Sequence, residues 1–88
     1  MKLFRTKTFK KEYTRLKMTD IQHERYLEFI STLLRGEELP PQAKDHKLIG
    51  NFNEFRELHI SGDLLIIYSI EKDILKLVRI GTHSQLFQ

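Results

Sequence analysis

The chain has 88 residues, of which 40% are hydrophobic and 31% charged, with a net charge of +3. That length holds one domain with one modest core, and the balance is that of a folded protein rather than a disordered one. Cysteine is absent, which excludes disulfides and thiol chemistry, and no apolar run approaches the ~20 residues needed to cross a bilayer. The N-terminus lacks the apolar stretch of a secretory signal. The expectation is a soluble intracellular protein, cytoplasmic and without membrane contact.

Charge is unevenly placed. Residues 1–17 carry seven basic side chains against Glu12 alone, a balance of +6, so the remaining residues carry −3. Such a basic segment attracts polyanions by neutralising phosphates, and equally an acidic protein partner. A solvated helix face is the competing reading.

In chain order, Lys2–Thr6 reads as a short edge strand. Thr8 is a candidate N-cap for a first helix, whose apolar face is Phe9, Tyr13 and Leu16. Helical spacing assigns Phe9 and Tyr13 to the core rather than to stacking on RNA. Thr19 and Asp20 mark a second helix, with Asp20 able to cap and Tyr26, Leu27, Ile30, Leu33 and Leu34 as its buried stripe. Gly36 suits the position just past its end. His23 reads as an ordinary helix residue. The two helices, 8–35, make a hairpin.

Residues 36–54 read as a loop: Pro40-Pro41 holds the chain extended, Leu48 and Ile49 anchor it, and Gly50 turns it into Asn51–Asn53. Strands are then expected over 55–81. Period two in Phe55–Ile60 turns Leu58 and Ile60 toward the helices and leaves Glu57 and His59 on the other face. Ser61-Gly62-Asp63 and Glu71-Lys72-Asp73 are turns short enough to require antiparallel neighbours. The apolar run Leu64–Ile67 predicts a central strand covered on both faces. Residues 82–88 form a tail ending in Leu86-Phe87. The whole, 1–88, is expected to be a single α+β domain.

Histidine exchanges protons near neutral pH. Internal cleavage of RNA needs a base for the ribose 2′-hydroxyl, an acid for the leaving 5′-oxygen and positive charge or N–H donors on the phosphate. His46, His59 and His83, with Glu57, Asp63 and Arg79, suffice for a metal-free version. Taken singly, a histidine near a strand end is more often structural. The separations 46–59–83 match no compact ligand pattern, so neither a metal nor another cofactor is expected. There is no Gly-rich phosphate loop and no nucleophile elbow.

The runs Asp45-His46-Lys47-Leu48-Ile49-Gly50, Phe55-Arg56-Glu57-Leu58-His59-Ile60, Asp63, Leu65-Ile66-Ile67-Tyr68 and Arg79-Ile80-Gly81-Thr82-His83-Ser84-Gln85-Leu86-Phe87 together resemble the YafQ branch of the RelE/ParE toxin superfamily. The resemblance covers the C-terminal half in register; the N-terminal half agrees in pattern. It implies a RelE-like α+β fold, with a short N-terminal strand and a helical hairpin packed on one face of an antiparallel sheet. It further implies a type II toxin that cuts mRNA on the translating ribosome. A cognate antitoxin would silence it, and the complex would bind operator DNA through that antitoxin.

By the same resemblance His46, His59, Asp63, His83 and Phe87 match the branch's active-site set. Glu57 stands where YafQ has aspartate. His83 is then the expected acid and Glu57 or His59 the base. His46 and Asp63 would orient groups or share proton transfer, and Phe87 would stack on a nucleobase. A C-terminal hydrophobic plug is the bland alternative for Phe87. Lys7, Lys10, Lys11, Arg15 and Lys17 would grip ribosomal RNA, and Arg79 is a weaker candidate for the phosphate. The turn before Asp63 departs from the branch in lacking a proline. Two other readings stand beside this one: a toxin of the same fold that binds a protein target such as gyrase without cutting RNA, and a degenerate binding module.

Overall fold

The computed structural model describes residues 1–50 and 54–87. The expected continuation of the turn through Asn51–Asn53, and the final Gln88, lie outside the described residues. In order, the elements are β1 (Lys2–Arg5), α1 (Lys7–Arg15), α2 (Asp20–Leu34), a 3₁₀ turn (Pro41–Ala43), β2 (His46–Lys47), β3 (Arg56–Ser61), β4 (Leu64–Glu71), β5 (Ile74–Thr82) and α3 (His83–Leu86). Among the described residues the strands form one sheet of order β1-β5-β4-β3-β2. β1 runs parallel to β5 and every other pairing is antiparallel, so the sheet is mixed at its N-terminal edge.

The residues that cap the two helices lie two and one positions before the expected ones. Thr6, not Thr8, caps α1: its hydroxyl accepts from Phe9 N–H at 3.0 Å and donates to the Val78 carbonyl at 2.8 Å. The chain passes straight from β1 into the helix, so the cap also ties that junction to β5. At α2, Thr19 rather than Asp20 is the cap. Its hydroxyl and the Gln22 side chain bond each other's backbone N–H groups at 3.1 Å, a reciprocal capping box. Gly36 closes α2 at φ 73°, with its N–H on the Leu33 carbonyl and that of Glu37 on Thr32. This is the bonding of a Schellman motif, whose left-handed residue glycine adopts without strain.

The main core lies between the hairpin and the sheet. Phe9, Tyr26, Phe29, Ile30 and Leu33 from the helices meet Leu58, Ile60, Leu64, Ile66, Tyr68, Leu75, Leu77 and Ile80. Leu27 does not belong to the buried stripe: it is 57% exposed, and Phe29, one turn below Leu33, is buried instead. A second, smaller cluster covers the other face: Leu65, Ile67 and Leu86, with Leu48, Phe55, Val78 and Phe87 against them. Strand β4 is therefore central and covered on both sides, as its continuous apolar run predicts.

The stretch expected as a loop has more structure than its apolar content reveals. Ala43 is buried and anchors it, whereas Ile49 is 87% exposed and anchors nothing. His46 and Lys47 pair with Glu57 and Arg56 as a two-residue edge strand. Similarly, the C-terminal tail begins as a helix. Thr82 and Gln85 form a second capping box, and α3 folds back over β5.

Candidate active site

Sheet pairing brings the acid–base groups together. His46 pairs with Glu57 across β2–β3, and His59 lies two residues further along β3. Residues paired across strands, and residues two apart on one strand, share a face. His46, Glu57 and His59 thus stand together on the face away from the helical hairpin. Glu57 Oε2 is 3.0 Å from His46 Nε2 and 3.6 Å from His59 Nε2, and the two imidazole centroids are 6.1 Å apart. Burial is graded: the side chain of Glu57 is 6% exposed, that of His59 28% and that of His46 51%. The carboxylate lies beneath two rings that reach solvent.

His46 is oriented from behind. Its Nδ1 is 2.7 Å from the Lys44 carbonyl, which can only accept, so Nδ1 carries a hydrogen and Nε2 faces Glu57. An unprotonated Nε2 at 3.0 Å from an unprotonated carboxylate would set two lone pairs against each other. A hydrogen between the two atoms would turn that opposition into a charge-assisted hydrogen bond. Glu57 Oε1 is buried and has no hydrogen-bond partner among the described residues. Such an orphaned oxygen is costly in a merely structural carboxylate.

The remaining site residues form a second group. Asp63 follows Gly62, which takes φ 58° at the first of the two positions linking β3 to β4, the position a II′ turn reserves for glycine. Asp63 Oδ1 accepts weakly from the backbone N–H of His83 at 3.4 Å. The His83 ring lies 4.9 Å from Phe87, one helical turn on, and Phe87 packs on the Leu65–Ile67–Leu86 cluster. Leu65 and Ile67 are the cross-strand partners of His59 and Glu57, so both groups share this face. Gly81 lies opposite Leu65 on β5, which puts α3 two strands, ~10 Å, from His59. A Cβ at Gly81 would come within 2.8 Å of Gln85 Oε1 and 3.3 Å of Leu86 Cδ2. Glycine is what lets α3 lie this close to the sheet.

The basic side chains predicted to meet RNA divide. Lys7, Lys10, Lys11, Arg15 and Lys17 are all exposed on or just beyond α1. Arg79 is instead engaged by Glu12, whose carboxylate accepts from Nη2 at 2.6 Å and Nε at 3.2 Å. Glu12 also accepts from Ile80 N–H at 3.2 Å, where β1 has ended and the edge of β5 would otherwise be unpaired. A register shift between Ile67 and Tyr68 turns Arg79 out of simple alternation with Leu75 and Leu77.

One group escaped the sequence reading. Asp45 Oδ1 accepts from Tyr68 Oη at 2.5 Å and from Arg56 Nε at 3.1 Å. Burial, then the bond to Asp45, pushes the Tyr68 phenol well above its ordinary value, and Asp45 likewise raises Arg56. The available signal was a buried tyrosine in a central strand, whose hydroxyl needs a partner. A metal reading also gains from the fold. Donor atoms of His46, Glu57 and His59 lie within 4.8 Å of one another although the residues are far apart in sequence.

Comparison with known proteins agrees in fold and sequence. A family model described as a bacterial toxin of type II toxin-antitoxin system, YafQ, matches residues 1–88. The mRNA interferase toxin YafQ of Escherichia coli is 38% identical over 63 residues, spanning 69% of this chain and 68% of that one. A copper-bound mutant toxin from Helicobacter pylori superposes with a TM-score of 0.90 at 40% identity, covering 98% of each chain. A chain of the E. coli DinJ-YafQ complex superposes with a TM-score of 0.84 at 25% identity, covering 98% of this chain and 97% of that one.

Proposed function

The chain belongs to the YafQ family of bacterial type II toxins, and on that premise we propose that it is a ribosome-dependent mRNA endoribonuclease, a single RelE-like domain acting in the cytoplasm. The observation that carries the reading is the cluster of His46, Glu57 and His59 on the same sheet face as His83 and Phe87.

The chemistry follows from proton positions. Glu57, with His59 beside it, takes the proton of a ribose 2′-hydroxyl. The 2′-oxygen attacks the adjacent phosphorus, the bond to the 5′-oxygen breaks, and His83 protonates that oxygen as it leaves. The products are a 2′,3′-cyclic phosphate and a free 5′-hydroxyl. His46 stands against Glu57 Oε2 and orients it, while Asp63 steadies the start of α3. Phe87 offers a ring face to a base next to the scissile bond. Each proton-transfer partner is worth ~10²–10⁴-fold. The exposed lysines and Arg15 around α1 suit ribosomal RNA, since phosphate contacts position without reading sequence. A cognate antitoxin would cover the toxin, as DinJ assembles with YafQ in the E. coli complex, and would carry the pair to operator DNA.

A second reading of the first cluster rests on its donor set. Two imidazole nitrogens and a carboxylate oxygen, with one histidine fixed through Nδ1 on a carbonyl, suit a divalent cation such as Zn²⁺ or Cu²⁺. His46, Glu57 and His59 would hold it. A bound cation would keep a proton off His46 Nε2 and supply Lewis acidity there.

The test is translation-coupled cleavage of mRNA by the protein and by His83→Ala. Loss of cutting by the variant supports the assignment, and equal cutting removes it. Growth arrest on expression without any mRNA cleavage would favour the protein-target reading, and no arrest the binding module.

A further inference from the structure

We propose that Asp45 is a positioning residue for His46: fastened by Tyr68 and Arg56 on the helix-covered face of the sheet, it fixes the imidazole that stands beside Glu57 on the opposite face. The proposal rests on the reading that His46 serves the RNA-cleaving site.

β2 has little to hold it in place. It is two residues long, lies at the sheet edge and is exposed at both residues. Consecutive strand residues point to opposite faces. His46 therefore goes with its partner Glu57, and Lys47 with Arg56. Asp45, just before the strand, reaches the Arg56 side, where Tyr68 is the next residue across on β4. Tyr68 is 1% exposed and embedded in the main core, so its hydroxyl is a fixed point. It donates to Asp45 Oδ1 at 2.5 Å, and Arg56 Nε donates to the same oxygen at 3.1 Å. The edge strand is thus pinned through the sheet to the most rigid part of the molecule.

The pin controls the ring through the residue before it. Lys44 is left-handed, φ 48° and ψ 40°, a conformation disfavoured for a residue with a Cβ and maintained only where its surroundings impose it. Its N–H bonds the Pro41 carbonyl at 3.0 Å, and its own carbonyl accepts from His46 Nδ1 at 2.7 Å. Asp45 follows immediately. Releasing Asp45 lets Lys44 relax toward ordinary backbone angles and turns its carbonyl away from the imidazole. His46 then loses both its fixed tautomer and its contact with Glu57 Oε2. The network serves the site from the opposite face, without touching substrate.

The experiment measures Asp45→Ala and Tyr68→Phe, each with His46 intact and in a His46→Ala background. Readouts are single-turnover mRNA cleavage on programmed ribosomes and long-range ¹⁵N–¹H spectra of the imidazoles. Each substitution should slow cleavage about 10–100-fold with His46 present, the usual size of an outer-layer effect. It should add little in the His46→Ala background, and erase the Nδ1–H tautomer signature of His46. Asp45→Asn, which keeps an oxygen for Tyr68 and Arg56, should retain most of the rate. Equal losses in both backgrounds, or an unchanged His46 spectrum in Asp45→Ala, would overturn the proposal. Tyr68→Phe decides the matter alone if Asp45→Ala fails to fold. Full activity of His46→Ala would instead remove the catalytic reading of His46, leaving the spectra to judge the clamp.

Discussion

Glu57 Oε2 stands 3.0 Å from His46 Nε2, and the Lys44 carbonyl keeps a hydrogen on the far nitrogen of that ring. This makes Glu57→Gln a clean probe. The amide can donate to an unprotonated Nε2 and so preserve the contact, but it cannot accept a proton from a ribose hydroxyl. Cleavage should fall ~10²–10⁴-fold, the range for a lost proton-transfer partner. Thermal stability should hold or rise, since a buried carboxylate with an orphaned oxygen becomes a neutral amide. Single-turnover rates and melting curves on the same samples check this. An unchanged rate would leave His59 as the base.

Gly81 makes a different prediction, about where α3 lies. A Cβ there meets Gln85 Oε1 at 2.8 Å. That oxygen also receives Thr82 N–H in the capping box, at 2.8 Å, so it is not free to swing away without uncapping the helix. Gly81→Ala should therefore cost ~1–3 kcal/mol by overpacking. It should also slow cleavage, because α3 carries His83. Gly81→Ala in a background of His83→Ala with Phe87→Ala should lower the melting temperature with no further loss of rate. An additive loss of rate would mean that α3 contributes something besides His83 and Phe87.

How far the sequence discloses this site depends on the range of each interaction. Alternation in Phe55–Ile60 is enough to put Glu57 and His59 on the open face, because strand parity is a local property. The continuous run Leu64–Ile67 likewise reveals a strand covered twice. His46 is harder: a two-residue strand has no period, and its place comes from pairing with residues eleven further on. Sequence spacing also understates the metal-like cluster, which forms across strands rather than along one helix. Glu12 with Arg79, and Asp45 with Tyr68, are legible only as unpaired needs: a half-buried guanidinium and a buried hydroxyl whose partners lie 67 and 23 positions away. The early helix starts reflect a choice among neighbouring hydroxyl and carboxyl caps, which tertiary bonds decide. Thr6 prevails over Thr8 because its hydroxyl also reaches the Val78 carbonyl.

Glu12 closes the edge of β5 and holds Arg79 at once. Glu12→Ala leaves the Ile80 N–H and the guanidinium without their carboxylate, and should cost ~1–3 kcal/mol. Glu12→Gln keeps an acceptor for Ile80 and should recover part of this. Denaturant unfolding of the three proteins gives the comparison. Equal stability of Glu12→Ala and the parent would show the pair to be a solvent-screened surface contact.

Stability at high pH should carry the signature of Tyr68. Its folded-state value lies above the ordinary 10.0 because burial and Asp45 both oppose the phenolate. The folded chain then holds this proton more firmly than the unfolded chain does. The stabilisation is complete below pH ~10 and is lost as pH rises toward the folded value, since unfolding releases a proton there. Tyr68→Phe has no such proton, so it should be less stable than the parent at neutral pH and the gap should narrow above pH ~10. Tyr26, whose value burial also raises, is common to both proteins and cancels. A gap that stays constant from pH 8 to the alkaline limit would show that Tyr68 ionises alike in both states.

The β4–β5 turn offers a change away from the site. Lys72 and Asp73 both have positive φ, 52° and 62°, between paired Glu71 and Ile74. That is the backbone of a type I′ hairpin turn, which favours Asn-Gly because glycine carries no Cβ into the left-handed region. Lysine is the poorer fit of the two, with neither a small nor a locally bonding side chain. Lys72→Asn with Asp73→Gly should stabilise the fold by ~0.5–1 kcal/mol through relief of that strain, less the entropy glycine adds to the unfolded chain. The cost of the change is the contact between the N-terminal ammonium and Asp73 at 3.7 Å, with a carboxylate 78% exposed and therefore weak. Backbone bonding from Lys2 N–H to the residue 73 carbonyl, 2.9 Å, survives the substitution. Denaturant midpoints should rise while mRNA cleavage stays at the parent rate, because His59 and Glu57 pair with Leu65 and Ile67, His46 pairs with Glu57, and His83 follows the end of β5, all away from this turn. A fall in midpoint would mean that the ammonium–Asp73 contact outweighs the turn geometry.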